Sequence, residues 1–159
     1  MIIQAPAQPL LSRVADSVYW MSRYVERAEN IARYVEVNIH LMLDLPLDDA
    51  ANQWQPLIQT SGDAATFLER YGEATQENVI HFLTFDAENP NSILSCLTAA
   101  RENARSVREV ISSEMWEQMN TMYLMVQSAS AANLNMERLP ELFHQVKMSS
   151  HLFHGVTDV

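Results

Sequence analysis

The residues best able to do chemistry fall into two clusters. Arg23, Glu26, Arg27, Glu29, Asn30 and Arg33 share one short stretch, and Arg101, Glu102, Arg105, Arg108 and Glu109 share another. Arginine offers a planar fork of donors that matches a carboxylate or a phosphate, and neighbouring carboxylates and amides can aim that fork. On a helix, Glu29 and Arg33 form an i,i+4 pair in the favourable order, and Arg23 and Glu26 form an i,i+3 pair. Three readings stay open. The stripes can be solvated faces, each pair contributing about 0.2–0.5 kcal/mol. They can meet in a buried network that fixes helix register. They can also leave guanidinium groups free to hold an acidic peptide or a phosphorylated intermediate. Glu26 or Arg27 is expected to contact the helix carrying Arg101 to Glu109, and if those side chains are buried together, Glu26→Ala is expected to cost about 3–5 kcal/mol, because guanidinium charge is left unpaired.

The histidines come next. His144, His151 and His154 share one helical face, with Asp158 four residues after His154. Imidazoles so placed can ligate a transition metal, but the set lacks the closed ligand count of a tight zinc site, so no metal or other cofactor is expected. His40 and His81 stand apart. Cys96 is the single cysteine, which excludes an intrachain disulfide and a cysteine metal cluster; mid-helix, it reads as a small core residue. The chain has no G-x-S-x-G turn and no Gly-rich phosphate loop. No catalytic residue is assigned on these grounds.

These side chains need elements to carry them. From Arg13 to Leu45 there is no Gly or Pro, and Val14, Val18, Met21, Val25, Ala28, Ala32, Val35, Ile39 and Met42 recur in steps of four and three. That seam predicts one long helix packed lengthwise on others, with Tyr19, Ser22 and the first Arg/Glu stripe on the opposite side. Ser12 is the expected cap, after a loose lead-in over residues 1–11. A polar connection over 47–53 leads to short helices at 53–61, closed by Gly62, and at 63–71, closed by Gly72. Thr75 is expected to cap a third, with Val79, Ile80, Phe82 and Leu83 on its apolar side. Residues 86–91 form the clearest break. Asn91 is then the expected cap of a second long helix with its seam at Ile93, Leu97, Ala100, Ala104, Val107 and Ile111. Ser112 and Ser113 either end it and cap the next helix or are passed through. Met115, Met119, Met122 and Val126 line that next helix, 128–135 reads as a linker, and Pro140 opens a last helix with Leu139, Leu142, Phe143, Val146 and Phe153 inward. The expected fold is a single all-α domain over residues 1–159, a helical bundle of long lengthwise-packed helices and short connecting ones.

Composition agrees with that class. A chain of 159 residues with 48% hydrophobic content supports one ordinary core, and three glycines suit short helix connections. The net charge of −10 argues against nucleic acid or an anionic membrane as a partner. No apolar run approaches the roughly 20 residues that span a bilayer, and the start lacks a secretory pattern, so a reducing cytoplasm is the expected compartment. Lys147 is the sole lysine among ten basic residues. An apolar seam about 30 residues long also leads us to expect a two-fold homodimer, because contiguous exposed apolar surface is rare on soluble monomers.

The run Tyr24-Val-Glu26-Arg27-Ala28-Glu29-Asn30-Ile-Ala-Arg33 resembles the signature of the bacterial alpha-E family, and the segments at 100–120 and 149–158 are similar to that family as well. The resemblance implies an α-helical domain without an established activity. It also implies association with ATP-grasp ligase-like and transglutaminase-like proteins, and so a place in peptide synthesis or modification. Its motif falls on Glu26 and Arg27, and no catalytic role comes with them. Typical members are longer and carry a second Glu-Arg helix, so this chain corresponds to the first half of one. The resulting expectation is a helical interaction domain beside a peptide or amide ligase. The alternative is a ligand-binding or catalytic subunit whose Arg/Glu cluster holds an acidic peptide or a phosphorylated intermediate.

Overall fold

The computed structural model describes residues 10–46 and 53–157. Its dominant element is α1, Leu10–Leu43, 34 residues without a break. The seam read from the sequence is the buried edge of this helix. Met21, Val25, Ala28, Ala32 and Val35 are wholly buried, while Val14, Val18, Ile39 and Met42 are half-buried toward the two ends. Ser12 lies inside the first turns of α1 rather than capping it. Most of the expected lead-in and of the 47–53 connection lies outside the described residues.

Three short helices follow: α2 (Trp54–Ser61), α3 (Ala64–Tyr71) and α4 (Gln76–Thr84). Gly62 and Gly72 close the first two with φ of 82° and 76°, a left-handed backbone that glycine enters without a Cβ clash. Thr75 caps α4 by accepting from the Asn78 N–H. The long helices resume with α5 (Ile93–Ser106), α6 (Ser113–Ala131) and α7 (Leu139–Thr157), the last entered through a 3₁₀ turn, Met136–Arg138.

Three boundaries differ from expectation, each for a local reason. Ser92, not Asn91, caps α5, because its hydroxyl accepts from the Ser95 N–H while the Asn91 side chain is engaged elsewhere. α5 stops at Ser106, and Val107 and Ile111 sit in the turn beyond it; Ser112 accepts from the Met115 N–H and starts a separate helix. The first four residues of the expected 128–135 linker complete α6, and the chain turns at Asn133 with φ of 46°.

The four long helices pack as a closed ring in the order α1, α5, α6, α7, each against the next, and α7 returns to α1. Neighbours run antiparallel. Ser17 meets Ser106 while Arg27 reaches Asn91; Glu36 meets Lys147 while Glu29 meets Ser150. One continuous core runs through the ring, with Phe143, Phe153, Leu97 and Met119 among its largest members, and the short helices extend it through Phe67, Phe82 and Ile58. α4 packs on both α1 and α5 and so holds the short helices to the end of the bundle where α1 finishes and α5 begins. This is an all-α fold, with no strand among the described residues.

Candidate functional site

The two arginine stripes do not meet. Among the described residues no hydrogen bond or ion pair joins 23–33 to 101–109. The reason is register. In the antiparallel pair, Ser17 sits level with Ser106 and Arg27 level with Asn91 and Cys96, so the 101–109 stripe lies beside the turns of α1 that precede the Glu-Arg motif. The second stripe has partners of its own. Arg101 donates from Nε to Asn120 Oδ1 at 2.8 Å and stands over the rings of Tyr123 and Trp116, at 4.7 and 5.8 Å. Arg105 pairs with Glu102 at the exposed surface. Arg108 also stands over the Trp116 ring, at 5.5 Å, and both it and Glu109 fall in the exposed turn after α5.

The first stripe divides residue by residue. Arg23 and Glu26 pair with each other, with side chains 53% and 43% exposed, so the joint burial on which a large cost of Glu26→Ala depends is not met. Glu29 is the interior carboxylate, only 14% exposed. Its Oε1 accepts from Arg33 Nε and Nη2 at 2.9 and 2.7 Å, and its Oε2 accepts from the wholly buried Ser150 hydroxyl on α7. His151 Nε2 lies 3.1 Å from Arg33 Nη2 and 3.3 Å from Glu29 Oε1. Burial alone would raise the Glu29 pKa, but the Ser150 and Arg33 donors outweigh it and hold the carboxyl below its usual range. Two turns beyond Glu29, Glu36 pairs with Lys147, again joining α1 to α7. Arg27 behaves differently. It stands over the Tyr24 ring at 5.7 Å and donates to Asn91 Oδ1 at 3.3 Å; no carboxylate pairs with it among the described residues. Asn30 is exposed and lines the same depression as Arg27.

The histidine set is dispersed. His144 is exposed, His151 is engaged with Glu29 and Arg33, and His154 is packed edge-on against Phe153. Asp158 lies outside the described residues. No three His, Cys, Asp or Glu side chains converge as a metal site among the described residues. Cys96 is wholly buried; burial pushes its thiol up to about 11, partly opposed by the Arg27 guanidinium. Such a thiol is inert at neutral pH.

The densest polar cluster was not visible in the sequence. Asp86, 5% exposed, accepts from Arg70 Nη1 and Nη2 at 2.7 and 3.1 Å, from the Tyr71 hydroxyl at 3.0 Å and from the Glu88 N–H at 2.9 Å. Tyr71 also meets His81 Nδ1 at 2.9 Å. Burial would raise the Asp86 pKa, yet Arg70, the Glu88 amide and Tyr71 lower it below its usual value. Burial and the bond to Asp86 push Tyr71 up to about 12. The only hint was positional: an aspartate opening the 86–91 break, where side chains commonly bond the backbone two residues on.

The two carboxylates give contrasting expectations. Glu29→Ala strands the buried Ser150 hydroxyl and an arginine, and should cost about 2 kcal/mol in a denaturant titration. Glu26→Ala should cost less than about 0.5 kcal/mol, because its pair is exposed. Equal losses for the two variants would overturn this assignment. For Asp86, a folded-state pKa below the unfolded one means stability that is complete above about pH 4 and lost as pH falls through the folded value. Asp86→Asn should therefore lose about 3 kcal/mol at pH 7 and show a shallower decline as pH falls below about 4. Tyr71 has the opposite sign: its contribution holds below about pH 10 and fades as pH rises toward 12. Chemical denaturation across pH checks both limbs.

Two of the three family-like segments thus meet at Glu29, through Ser150 and His151, and the third holds both Arg101 and the Trp116 ring beneath it. No curated protein and no solved structure matches the chain. The model of the Alpha-E family, described as a predicted alpha-helical domain with a conserved ER motif, matches residues 10–159. With nearly all of its length covered, the chain belongs to the Alpha-E family.

Proposed function

We propose that this chain is a helical interaction domain that works in the cytoplasm beside an ATP-grasp-type peptide or amide ligase and a transglutaminase-like protein, without making or breaking bonds itself. The observation that carries the reading is the internal use of the arginine stripes. Arg23, Arg33 and Arg105 pair with carboxylates of their own helices, and Arg101 is held by Asn120 and two rings. Guanidinium groups so engaged stabilise a surface rather than await a substrate. Family resemblance supplies the partner class. A ligand-binding reading is favoured by one residue, Arg27, which has no carboxylate partner among the described residues and lines a depression.

The direct check is co-elution. The chain, mixed at micromolar concentration with an ATP-grasp-type protein and separately with a transglutaminase-like protein of its own organism, should shift to a larger species with at least one of them. Elution of all components alone would remove the reading.

A second copy of the chain is also a proposed partner. Val37 and Leu41 lie on one exposed line of α1, 56% and 53% exposed, with Leu45 just past the helix end. Glu36, beside Val37, is already paired with Lys147, and the exposed Asp44 beside Leu45 bounds the ridge at its far end. A two-fold axis would place the ridge on itself. Light scattering should give a mass near twice 18.1 kDa, and Leu41→Glu should restore the mass of a single chain. A value near 18.1 kDa for the native chain at all micromolar concentrations excludes the dimer.

A further inference from the structure

A depression of about 330 Å³ opens where α1 passes the turn between α2 and α3 and the loop before α5. Its charged groups are Arg27 and Asp63, with Asn30, Ser61 and Asn91 as further polar lining, and its apolar side is made by Ile31, Tyr34 and Leu83. The charged pair is unusual in being kept apart. Arg27 Nη1 donates to Asn91 Oδ1 at 3.3 Å, while Asn91 Nδ2 donates to Asp63 Oδ2 and Oδ1 at 3.0 and 3.2 Å. Asn91 thus stands between a guanidinium and a carboxylate, and neither has an ion-pair partner among the described residues. Asp63 also occupies the N-cap position of α3, where its side chain could accept from the helix N–H groups, yet it makes no capping bond. It is turned to the depression instead. The backbone that carries Asn91 is fixed from behind: the Asn91 main-chain N–H donates to Asn89 Oδ1, and the buried Asn89 side-chain amide donates to the Phe82 carbonyl.

We propose that this depression binds a zwitterionic α-amino acid with an aliphatic side chain. The ligand carboxylate takes the free edge of Arg27, its ammonium takes Asp63, and its side chain rests on Ile31, Tyr34 and Leu83. Separation of the two protein charges by a single amide suits a ligand whose own charges are separated by a single carbon. A ligand with only one of the charges leaves the other protein group unmatched, which is the basis of discrimination. The site rests on the ligand-binding reading of Arg27 and not on the interaction-domain reading. A failed titration therefore removes the site and leaves partner co-elution standing.

The test is a heteronuclear NMR titration of the whole chain with L-leucine, L-leucinamide, N-acetyl-L-leucine and inorganic phosphate. L-Leucine should give saturable shifts at Asp63, Asn91 and Tyr34. Each blocked analogue should bind about tenfold or more weakly, since one charge-assisted contact is lost. Arg27→Gln and Asp63→Asn should each weaken L-leucine by a similar factor, and Asp63→Asn keeps an oxygen for the Asn91 amide, so the fold is preserved. The analogue series uses the native protein and does not depend on either variant folding. Equal binding of all three leucine compounds, an absence of shifts with L-leucine, or a response at these residues to phosphate alone would each overturn the proposal.

Discussion

The constraint on which this structure depends is a mismatch of helix lengths. At 1.5 Å per residue, α1 with its 34 residues is about 51 Å long, while α5 with 14 is about 21 Å and α7 with 19 about 28 Å. Neither neighbour can cover the α1 seam alone. α5 takes the earlier part, from Ser17 opposite Ser106 to Arg27 opposite Asn91; α7 takes the later part, from Glu29 opposite Ser150 to Glu36 opposite Lys147. The two coverings overlap around residues 27–30, where the Glu-Arg motif lies. Arg27 turns to the start of α5 and Glu29 to the later half of α7, so a single turn of one helix sets the height of both neighbours. Beyond that level lies the start of α5, past which it gives no cover, and α4 packs in its place against α1. The short helices are thus a consequence of the mismatch, needed to close the core beyond the point where α5 begins.

Polar anchors sit at the places where apolar packing leaves freedom. A seam of Val, Ala and Met can slide by a turn at little cost in buried area, whereas a buried carboxylate can be satisfied in one register. Glu29 does this between α1 and α7. Asp86 does it for the loop into α5, gathering Arg70 and Tyr71 from α3 onto the same residue that accepts from the Glu88 N–H. Both carboxyls remain ionised because the donors around them outweigh the effect of burial. Each therefore makes the fold's stability depend on acid pH, through the same linkage and with the same sign.

What could be read in advance follows the range of the interaction. The α1 and α5 seams, the Gly62 and Gly72 stops and the Thr75 cap are set by residues within a turn or two of one another, and they were legible. The Ser92 cap was missed because Asn91 beside it is an equally good capping type, and a tertiary bond to Asp63 decided between them. Heptad spacing shows which edge of a helix is buried but not how far it slides along its neighbour, so Arg27 reaches the expected helix at Cys96 while register keeps the two arginine stripes apart. The Glu29–Ser150 contact spans 121 positions, and the Asp86 cluster draws on two helices and a loop with no period to mark it. Neither carries a local signal.

Asn91 shows how the fold and the Glu-Arg motif are joined. An asparagine can both donate and accept, so one side chain can face a guanidinium and a carboxylate at once without bringing them together. Replacing that arrangement by a direct Arg27–Asp63 ion pair would tie α1 to the α2–α3 turn more simply, and would leave no charge exposed in the depression. The chain instead spends a buried relay, Asn89 to Asn91, on holding the two charges apart. Because Arg27 sits on α1 and Asp63 on the turn between α2 and α3, anything that bridges them acts across the junction between the bundle and its capping helices. An occupant can shift that junction only to the extent that it binds one arrangement better than another. Arg27, facing the α5 end and this depression together, is therefore the one motif residue through which occupancy of the surface and the packing of the core are physically linked.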